Sequence, residues 1–414
     1  MSSAVFVLGG FQTDFARHLA REGHDVGELV RETVEGTLAA ARLEARDVDT
    51  IHVGNAFGEL FNGQAHLGAM PATVVPALIG TPAGRHEAAC ASGSIAALAA
   101  MAELEAGRYG CALVLGVEQE RNVPGDVAAR HMGSAAWIGH EGQECRYLWP
   151  AMFARVGDAY DARFGLRRDH LVHLAKNAFA NARKNPLAQT RGWKLEDASF
   201  GEDDAANPPV EGRLRRQDCA QVTDGAAGVI LASAEVARAW AAKRGVALDR
   251  IPRITGWGHT TAGLALAPKL EASGGGDGYM LPHLRRALTD AWRRAGVADA
   301  RRLDGIEVHD CFSVTGYAAI DHLGLAAPGQ GWRAIEDGTI DAGGALPVNP
   351  SGGLMGVGHP VGATGVRMLV DAAAQVAGTA GGTQVDGAHT FGTLNLGGSA
   401  ATVVSFVLAT EERA

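Results

Sequence analysis

Two kinds of hydrophobic pattern alternate along the chain. Short continuous apolar runs at 5–8 and 111–117 predict buried strands. Apolar residues at helical spacing over 27–43, and an Ala-rich stretch at 95–104, predict helices that pack on those strands. Strands that alternate with helices in this way are typical of a layered α/β fold.

The pattern changes between residues 120 and 218, where strand signals fade and polar residues become more frequent. Within 155–195, nine basic residues stand against three acidic ones. This excess has two readings: a surface for an anionic ligand, or the solvated face of helices such as 169–184. After residue 221 the α/β pattern resumes, and the Gly-rich stretch 273–278 predicts a flexible connector.

Composition and charge exclude several classes of protein. The chain has 414 residues, of which 47% are hydrophobic and 20% charged, as in soluble globular proteins with two or three domains. A net charge of −9 argues against nucleic acid or a membrane surface as the partner of the whole chain. No apolar run is long enough to span a membrane, and the N-terminus lacks the basic start of a signal peptide. We therefore expect a cytoplasmic protein.

Cysteine and histidine usage argues against disulfide bonds and metal sites. The five cysteines are an odd number and form no Cys-x-x-Cys pair, which favours reduced thiols over a disulfide framework or a zinc site. The 15 histidines are scattered and no His-Glu-x-x-His motif is present. The sequence therefore predicts no metal site.

The second half of the chain repeats the first. Residues 48–57 align without a gap with 303–312, and the turn that begins at Cys90 aligns with the turn that begins at His359. Both turns precede a long helix and then an apolar strand. Two α/β halves related by pseudo-symmetry bring corresponding turns to one interface, where ligands of such sheets bind. Cys90 and His359 are therefore expected to face each other.

Cys90 is the strongest candidate for a nucleophile. It lies among small residues at the predicted start of the 95–104 helix, where backbone N–H groups and the helix dipole favour the thiolate. The alternative from local sequence alone is a buried structural cysteine. The repeat favours the first reading because it places a histidine opposite the sulfur.

Four segments carry the remaining chemistry. They are Cys90 with Ser92, the His-Asp-Cys-Phe run at 309–312, the Asn-Pro-Ser-Gly-Gly and Gly-His-Pro-Val-Gly-Ala-Thr-Gly runs at 349–353 and 358–365, and the glycine-rich segment 392–398. Together, in this order and on a duplicated chain, they resemble the thiolase family, and its SCP-2/SCP-x type in particular.

The resemblance implies the thiolase fold: two βαβαβαββ halves stacked as five α/β/α/β/α layers, with an inserted loop domain. It implies one half at 1–119 plus 219–270, a loop domain over the site at 120–218, and the other half at 271–414. It also implies coenzyme A thioesters as substrates, no further cofactor, and a homodimer or homotetramer.

The same resemblance implies a role for each site residue. Cys90 matches the acyl-accepting nucleophile and His359 the histidine that activates it. Cys311 matches the thiol that shuttles a proton, and His309 the residue that helps hold an oxyanion. Asn395 stands in a turn where the SCP-2 type usually has glycine, and its backbone N–H is the candidate for lining the oxyanion hole.

Two other functions stay open at this point. One is a ketoacyl synthase-like enzyme or an acyltransferase that depends on a small OB-fold partner protein, because Cys90, His309 and His359 also satisfy a Cys-His-His site. The other is a weakly catalytic scaffold or lipid-handling subunit, for which Asn395 is the main support.

Overall fold

A nine-stranded mixed sheet organises the chain. The computed structural model describes residues 4–271 and 278–410, so the predicted connector at 273–278 lies outside the described residues except for Gly278. The strands are β1 (Val5–Gln12), β2 (Thr50–Gly54), β3 (Ala83–His86), β4 (Cys111–Glu118), β5 (Pro209–Glu211), β6 (Leu214–Arg215), β7 (Gly225–Ala232), β8 (Arg253–Thr261), β9 (Gly305–Val308), β10 (Thr390–Gly397) and β11 (Thr402–Ala409). The spatial order is β3-β2-β4-β7-β1-β8-β11-β10-β9, and β5 with β6 forms a separate small sheet.

Helices cover the sheet on both faces. They are α1 (Leu19–Glu22), α2 (Val26–Ala41), α3 (Gly58–Asn62), α4 (Met70–Val74), α5 (Ser92–Glu105), α6 (Gly125–Gly133), α7 (Leu148–Phe164), α8 (Arg168–Ala182), α9 (Ala234–Arg244), α10 (Leu266–Glu271), α11 (Pro282–Ala295), α12 (Ser313–His322), α13 (Arg333–Glu336), α14 (Gly353–Val357) and α15 (Thr364–Ala377). Within the described ranges, no helix combines the length and the apolar character that a bilayer crossing needs.

The strand order confirms the predicted duplication. From β3 to β1 the first half reads 3-2-4-7-1, and from β8 outward the second reads 8-11-10-9, which is the mirror order. Val348 adds one more position to the second half, because it forms a parallel bridge to Ile306 of β9. It thereby takes the place beside β9 that β3 takes beside β2. Strands β1 and β8 share two residue pairs, so the two half-sheets join edge to edge.

Five layers follow from the helix packing, as the thiolase fold requires. Helix α2 covers β1 and β7 on one outer face, and α11 covers β8 and β11 on the other. Between the half-sheets lie α5 and α15, which contact each other; α5 packs on strands of the first half, and α15 packs on strands of both halves. The predicted domain division stays a prediction; by strand pairing, β8 belongs with β11 of the second half, although that division assigned it to the first.

The segment 120–218 forms a mainly helical insert. Its helices α7 and α8 pack on α12 and α14 of the second half. The predicted helix at 169–184 corresponds to α8. The insert therefore packs on the second half, next to the helix that follows β9.

Glycines allow the two central helices to approach. A Cβ on Gly116 of β4 would lie 2.6 Å from the Gly362 carbonyl oxygen, and one on Gly93 of α5 would lie 2.8 Å from that same atom. Both contacts are to backbone, which cannot rotate away as a side chain can. These positions press the turn before α15 against β4 and α5.

We predict that Gly116→Ala lowers the free energy of unfolding by about 1–3 kcal/mol, because the added methyl group forces the Gly362 backbone outward. Guanidinium unfolding measures the change. Gly192→Ala is the matched control, since a Cβ there meets nothing within 4 Å and its expected effect is within about 0.5 kcal/mol. Equal stabilities for the two variants would contradict the packing argument.

Candidate functional site

A strained turn presents Cys90. Ala89 has a φ of +49°, in the left-handed region that a residue with a Cβ seldom adopts. The Ser92 hydroxyl donates to the Ala89 carbonyl at 2.6 Å and accepts from the Ala88 N–H at 2.9 Å, which holds the turn. Cys90 is half-buried, two residues before α5 begins, so its sulfur can be reached by a ligand.

Cys90, Cys311 and His359 line one cavity of about 380 Å³. Its walls are otherwise mostly apolar, and the insert supplies many of them: Met132, Leu148, Trp149, Pro150, Phe153 and Val210. His309 lies directly behind, with its ring centroid 5.1 Å from that of His359 and the two rings perpendicular. The pseudo-symmetric halves thus place the four predicted site residues around one cavity.

A threonine sets the tautomer of His359. The Thr364 hydroxyl donates to the Pro360 carbonyl at 3.1 Å, so it accepts a hydrogen bond from His359 Nδ1–H at 2.7 Å. Nε2 of His359 is then unprotonated and able to accept a proton. Because Thr364 opens α15, the helix itself holds the imidazole in place.

Asn395 sets the opposite tautomer of His309. The Asn395 amide nitrogen donates to the Cys90 carbonyl and to His309 Nδ1, each at 3.1 Å, while its oxygen accepts from the Ser94 hydroxyl at 2.7 Å. The Cys90 carbonyl is only an acceptor, which fixes the orientation of the amide. His309 Nδ1 is therefore an acceptor and Nε2 carries the proton.

Asn395 differs from the sequence expectation. It was expected in a turn with its backbone N–H lining an oxyanion hole, but it lies within β10, paired with Val404, and its side chain makes the contacts. Left-handed backbone occurs just after β10, at Gly398 with φ +59° and at Ala400 with φ +56°. The backbone amides that favour the thiolate of Cys90 by hydrogen bonding are those of Gly398 and of Cys90 itself.

Burial keeps the Cys90–His359 pair neutral. Burial, then the nearby Glu120, raises the pKa of Cys90 to about 12. Burial, then the positive charge of Arg367, lowers the pKa of His359 to about 3. The sequence favoured a thiolate at this helix N-terminus, but in the structure the loss of solvation disfavours it and outweighs the hydrogen bonds from backbone amides.

His309 and Cys311 are neutral as well. Burial, followed by His359 and Arg367, lowers the pKa of His309 well below its usual value. Burial, followed by Cys90, raises the pKa of Cys311 well above its usual value, and its sulfur lies 3.8 Å from the Thr315 hydroxyl. Each group can move a proton, but none is ionised in the unliganded protein at neutral pH.

The site also has the composition of a metal centre, which the sequence did not indicate. One ligand atom each of Cys90, His309 and His359 lies within 4.8 Å of the others. However, ligation through His309 Nε2 would require a proton on Nδ1, which would point at the Asn395 amide hydrogens. This donor set does not fit a resident metal ion.

Sequence reasoning missed the residues that orient the histidines. Thr364 lies within the glycine-rich run that contains His359, and Ser94 lies one helical turn after Cys90. The available signal was closeness in sequence, of Thr364 to His359 and of Ser94 to Cys90. It also missed Glu120, which lines the cavity although nothing near it in sequence is reactive.

The basic window of the insert is mostly neutralised. Within the part of the chain that the structure describes, at least five of its nine cations form ion pairs, which are Arg155–Glu144, Arg167–Asp169, Arg168–Asp218, Lys176–Asp197 and Arg191–Asp14. Several of these acids lie outside the window, so counting charge within it overstated the local field. The observations favour the solvated-face reading over a dedicated anion surface.

Comparisons with known proteins agree with the geometry. The family profiles described as "Thiolase, N-terminal domain" and "Thiolase C-terminal domain-like" match residues 5–193 and 277–410. The acetyl-CoA acetyltransferase of Methanothermobacter thermautotrophicus is 31% identical over 96% of this chain and 97% of that protein. Human sterol carrier protein 2 is 28% identical over 97% of this chain and 71% of that protein.

A solved structure supports the fold. The Ltp2-ChsH2(DUF35) aldolase has a TM-score of 0.78 at 20% identity and covers 99% of this chain and 98% of its own. Matching profiles over both halves, a relative above 30% identity along almost the full length, and the duplicated five-layer fold agree, and the chain belongs to the thiolase family.

Proposed function

We propose that this protein is a thiolase-type acyl-CoA C-acyltransferase that works through an acyl group on Cys90. It cleaves 3-ketoacyl-CoA with CoA, or runs the reverse Claisen condensation. The observation that carries the proposal is the convergence of Cys90, His309 and His359 within 4.8 Å beside a mostly apolar cavity. Their neutral resting states suit a site that ionises only when substrate is bound.

In the first half of the cycle, His359 Nε2 takes the thiol proton of Cys90, and the sulfur attacks the keto carbon of the substrate. The developing oxyanion accepts hydrogen bonds from backbone amides such as that of Gly398. The bond between carbons 2 and 3 then breaks, and its electron pair forms an enolate whose oxygen accepts from His309 Nε2–H. Cys311 protonates carbon 2, and acetyl-CoA leaves.

In the second half, the Cys311 thiolate takes the proton of the incoming CoA thiol. The CoA sulfur attacks the acyl-enzyme, and Cys90 leaves as a thiolate that recovers its proton from His359. All protons and electron pairs are thereby returned, and no further cofactor takes part. The two opposite tautomers match this division of labour, since His359 accepts a proton while His309 donates a hydrogen bond.

The cavity supports an acyl-CoA substrate. Its aromatic and aliphatic walls suit an acyl chain, and the exposed Arg216 at its border suits a phosphate of coenzyme A. The thiol of Cys311 in the same cavity favours a thiolase over a ketoacyl synthase-like enzyme. The integration of the Asn395 side chain into the site removes the main support for a weakly catalytic scaffold.

Assembly and location are part of the proposal. Among the described residues, β3 pairs only with β2, so its other edge is free to meet a second copy in a homodimer or homotetramer. A small partner protein, predicted as an OB-fold subunit, is proposed by analogy with the aldolase complex that includes a DUF35 protein. We retain the predicted cytoplasmic location.

We predict that Cys90→Ser abolishes the covalent acyl-enzyme, because an alcohol is a poorer nucleophile and leaving group than a thiol. Intact-protein mass spectrometry after mixing with a 3-ketoacyl-CoA detects the adduct. Cys145→Ser is the matched control, since Cys145 is also half-buried but lies outside the cavity, and it should keep the adduct. An adduct that persists in Cys90→Ser would refute the assignment.

Alkylation of Cys90 by iodoacetamide should rise about tenfold per pH unit between pH 6 and 9. A thiol whose pKa is about 12 stays protonated throughout this range, so its thiolate fraction grows in proportion to hydroxide. Peptide mass spectrometry in a Cys145→Ser background gives the rate. A rate that is constant over this range would indicate a preformed thiolate–imidazolium pair instead.

Asn395→Asp should lower kcat by about 100-fold with KM changed less than about threefold. The carboxylate accepts from His309 Nδ1–H, so Nε2 loses the hydrogen that it donates to the enolate. Nitrogen-15 NMR of the histidine side chains reports the tautomer, and steady-state kinetics the rate. Ser94→Ala, which spares both donations of Asn395, should cost less than tenfold; equal losses would contradict the tautomer argument.

A further inference from the structure

Glu120 is a buried acid in the cavity wall that the acyl-transfer cycle does not use. It is 1% exposed and lines the same cavity as Cys90. Its Oε1 accepts from the Val361 N–H at 3.2 Å. Its Oε2 is buried and, within the residues that the structure describes, has no hydrogen-bond partner.

The neighbouring Glu118 shows what a purely structural acid looks like in this fold. Its two carboxylate oxygens accept from the N–H groups of Ala56, Phe57 and Gly362 and from the Asn55 amide, at 2.9–3.0 Å. Glu118 does not line the cavity. Glu120 has comparable burial but fewer partners, which are the Val361 N–H at Oε1 and the nearby Thr223 amide. A buried polar atom without a partner, such as its Oε2, costs stability unless something else meets it.

The surroundings of Glu120 favour the neutral carboxylic acid, which can donate a hydrogen bond. Burial and the adjacent Glu118 raise the pKa of Glu120 well above its usual value, and the backbone amides of Val361 and Thr223 only partly offset them. With Oε1 accepting from Val361, the proton resides on Oε2. As a neutral acid, Glu120 thus places a carboxyl donor in the wall of the cavity that Cys90 also lines, whereas the hydroxyl of Tyr147 in the same wall already donates to Asp126.

We propose that Glu120 selects acyl groups that carry an additional oxygen, as a hydroxyl or ketone beyond carbon 3, by donating a hydrogen bond to it from Oε2. The inference rests on the proposed acyl transfer and defines its substrate class. A plain alkyl chain would leave the carboxyl unpaired and dry, whereas an oxygenated chain satisfies it. A site with a buried polar group discriminates strongly against the analogue that lacks the partner atom.

The kinetic test compares 3-ketoacyl-CoA esters of one chain length, with a hydroxyl at successive carbons beyond carbon 3, against the unsubstituted parent. For the wild type, we expect kcat/KM to be at least about tenfold higher for one hydroxylated ester than for the parent. Glu120→Met should lower that value about tenfold and raise the parent's about threefold, because methionine needs no partner. Glu120→Gln, which keeps a neutral donor, should preserve most of the preference.

Met132→Leu is the matched control, because it changes the cavity wall without a polar group and should move both values together. Circular dichroism and thermal melting establish that each variant is folded. No preference in the wild type, or a preference that survives Glu120→Met, would overturn the inference.

A binding experiment separates this inference from the catalytic proposal. Calorimetric titration of Cys90→Ala, which cannot be acylated, with the same esters gives the affinity ratio without turnover. A ratio of about tenfold that Glu120→Met removes would support the role of Glu120 even if the wild type forms no acyl-enzyme, in which case only the catalytic proposal fails. Equal affinities, or no binding of either ester, would overturn the inference.

Discussion

The contact between the starts of the two central helices is the constraint on which the site depends. The turn before α15 lies against α5 and β4 at backbone distance, and only glycine at Gly93, Gly116 and Gly362 permits that approach. A larger residue would separate the turns that hold Cys90 and His359. Since proton transfer needs its two groups within hydrogen-bond reach, packing in the middle layer sets the chemistry at its end.

Low polarity around that contact determines the charge state of the site. Arg367 is fully buried on α15, and its guanidinium pairs with Glu307 and Asp371. Its positive charge adds to burial in disfavouring protonation of His309 and His359. The two imidazoles are consequently neutral, and each owes its distinct tautomer to one neighbouring side chain rather than to a charge.

The insert supplies much of the cavity wall, and the two halves supply the reactive groups, with Cys90 from the first half and Cys311 and His359 from the second. Helix α7 supplies aromatic wall residues, while the sulfur of Cys311 enters from the loop after β9. Many basic side chains of the insert form ion pairs, which reduces the positive charge of its surface. Arg216, by contrast, is exposed at the border of the cavity. Among the described residues that line the cavity, Glu120 is the acid, and the majority of its neighbours in the wall are apolar.

Much of this could be predicted from the sequence, because it depends on local pattern and on duplication. Apolar runs and helical spacing predicted the α/β elements, and the alignment of the Cys90 and His359 turns predicted that they would meet, since a repeated fold must place equivalent turns equivalently. Family motifs supplied Cys311 and His309. The insert was recognisable only as a change of composition.

The tertiary structure alone decided the charge states and most of the hydrogen-bond partners of these residues. The helix N-terminus at Cys90 suggested a thiolate, but burial, which depends on residues distant in sequence, keeps the thiol protonated. Asn395 was expected to contribute its backbone N–H, yet its side chain donates a hydrogen bond to the Cys90 carbonyl, which lies 305 positions away in the sequence. Solvation and long-range hydrogen-bond partners are properties of the packed chain, so no local pattern could have indicated the tautomer of His309, the neutral pair or the oxygen of Glu120 that lacks a partner.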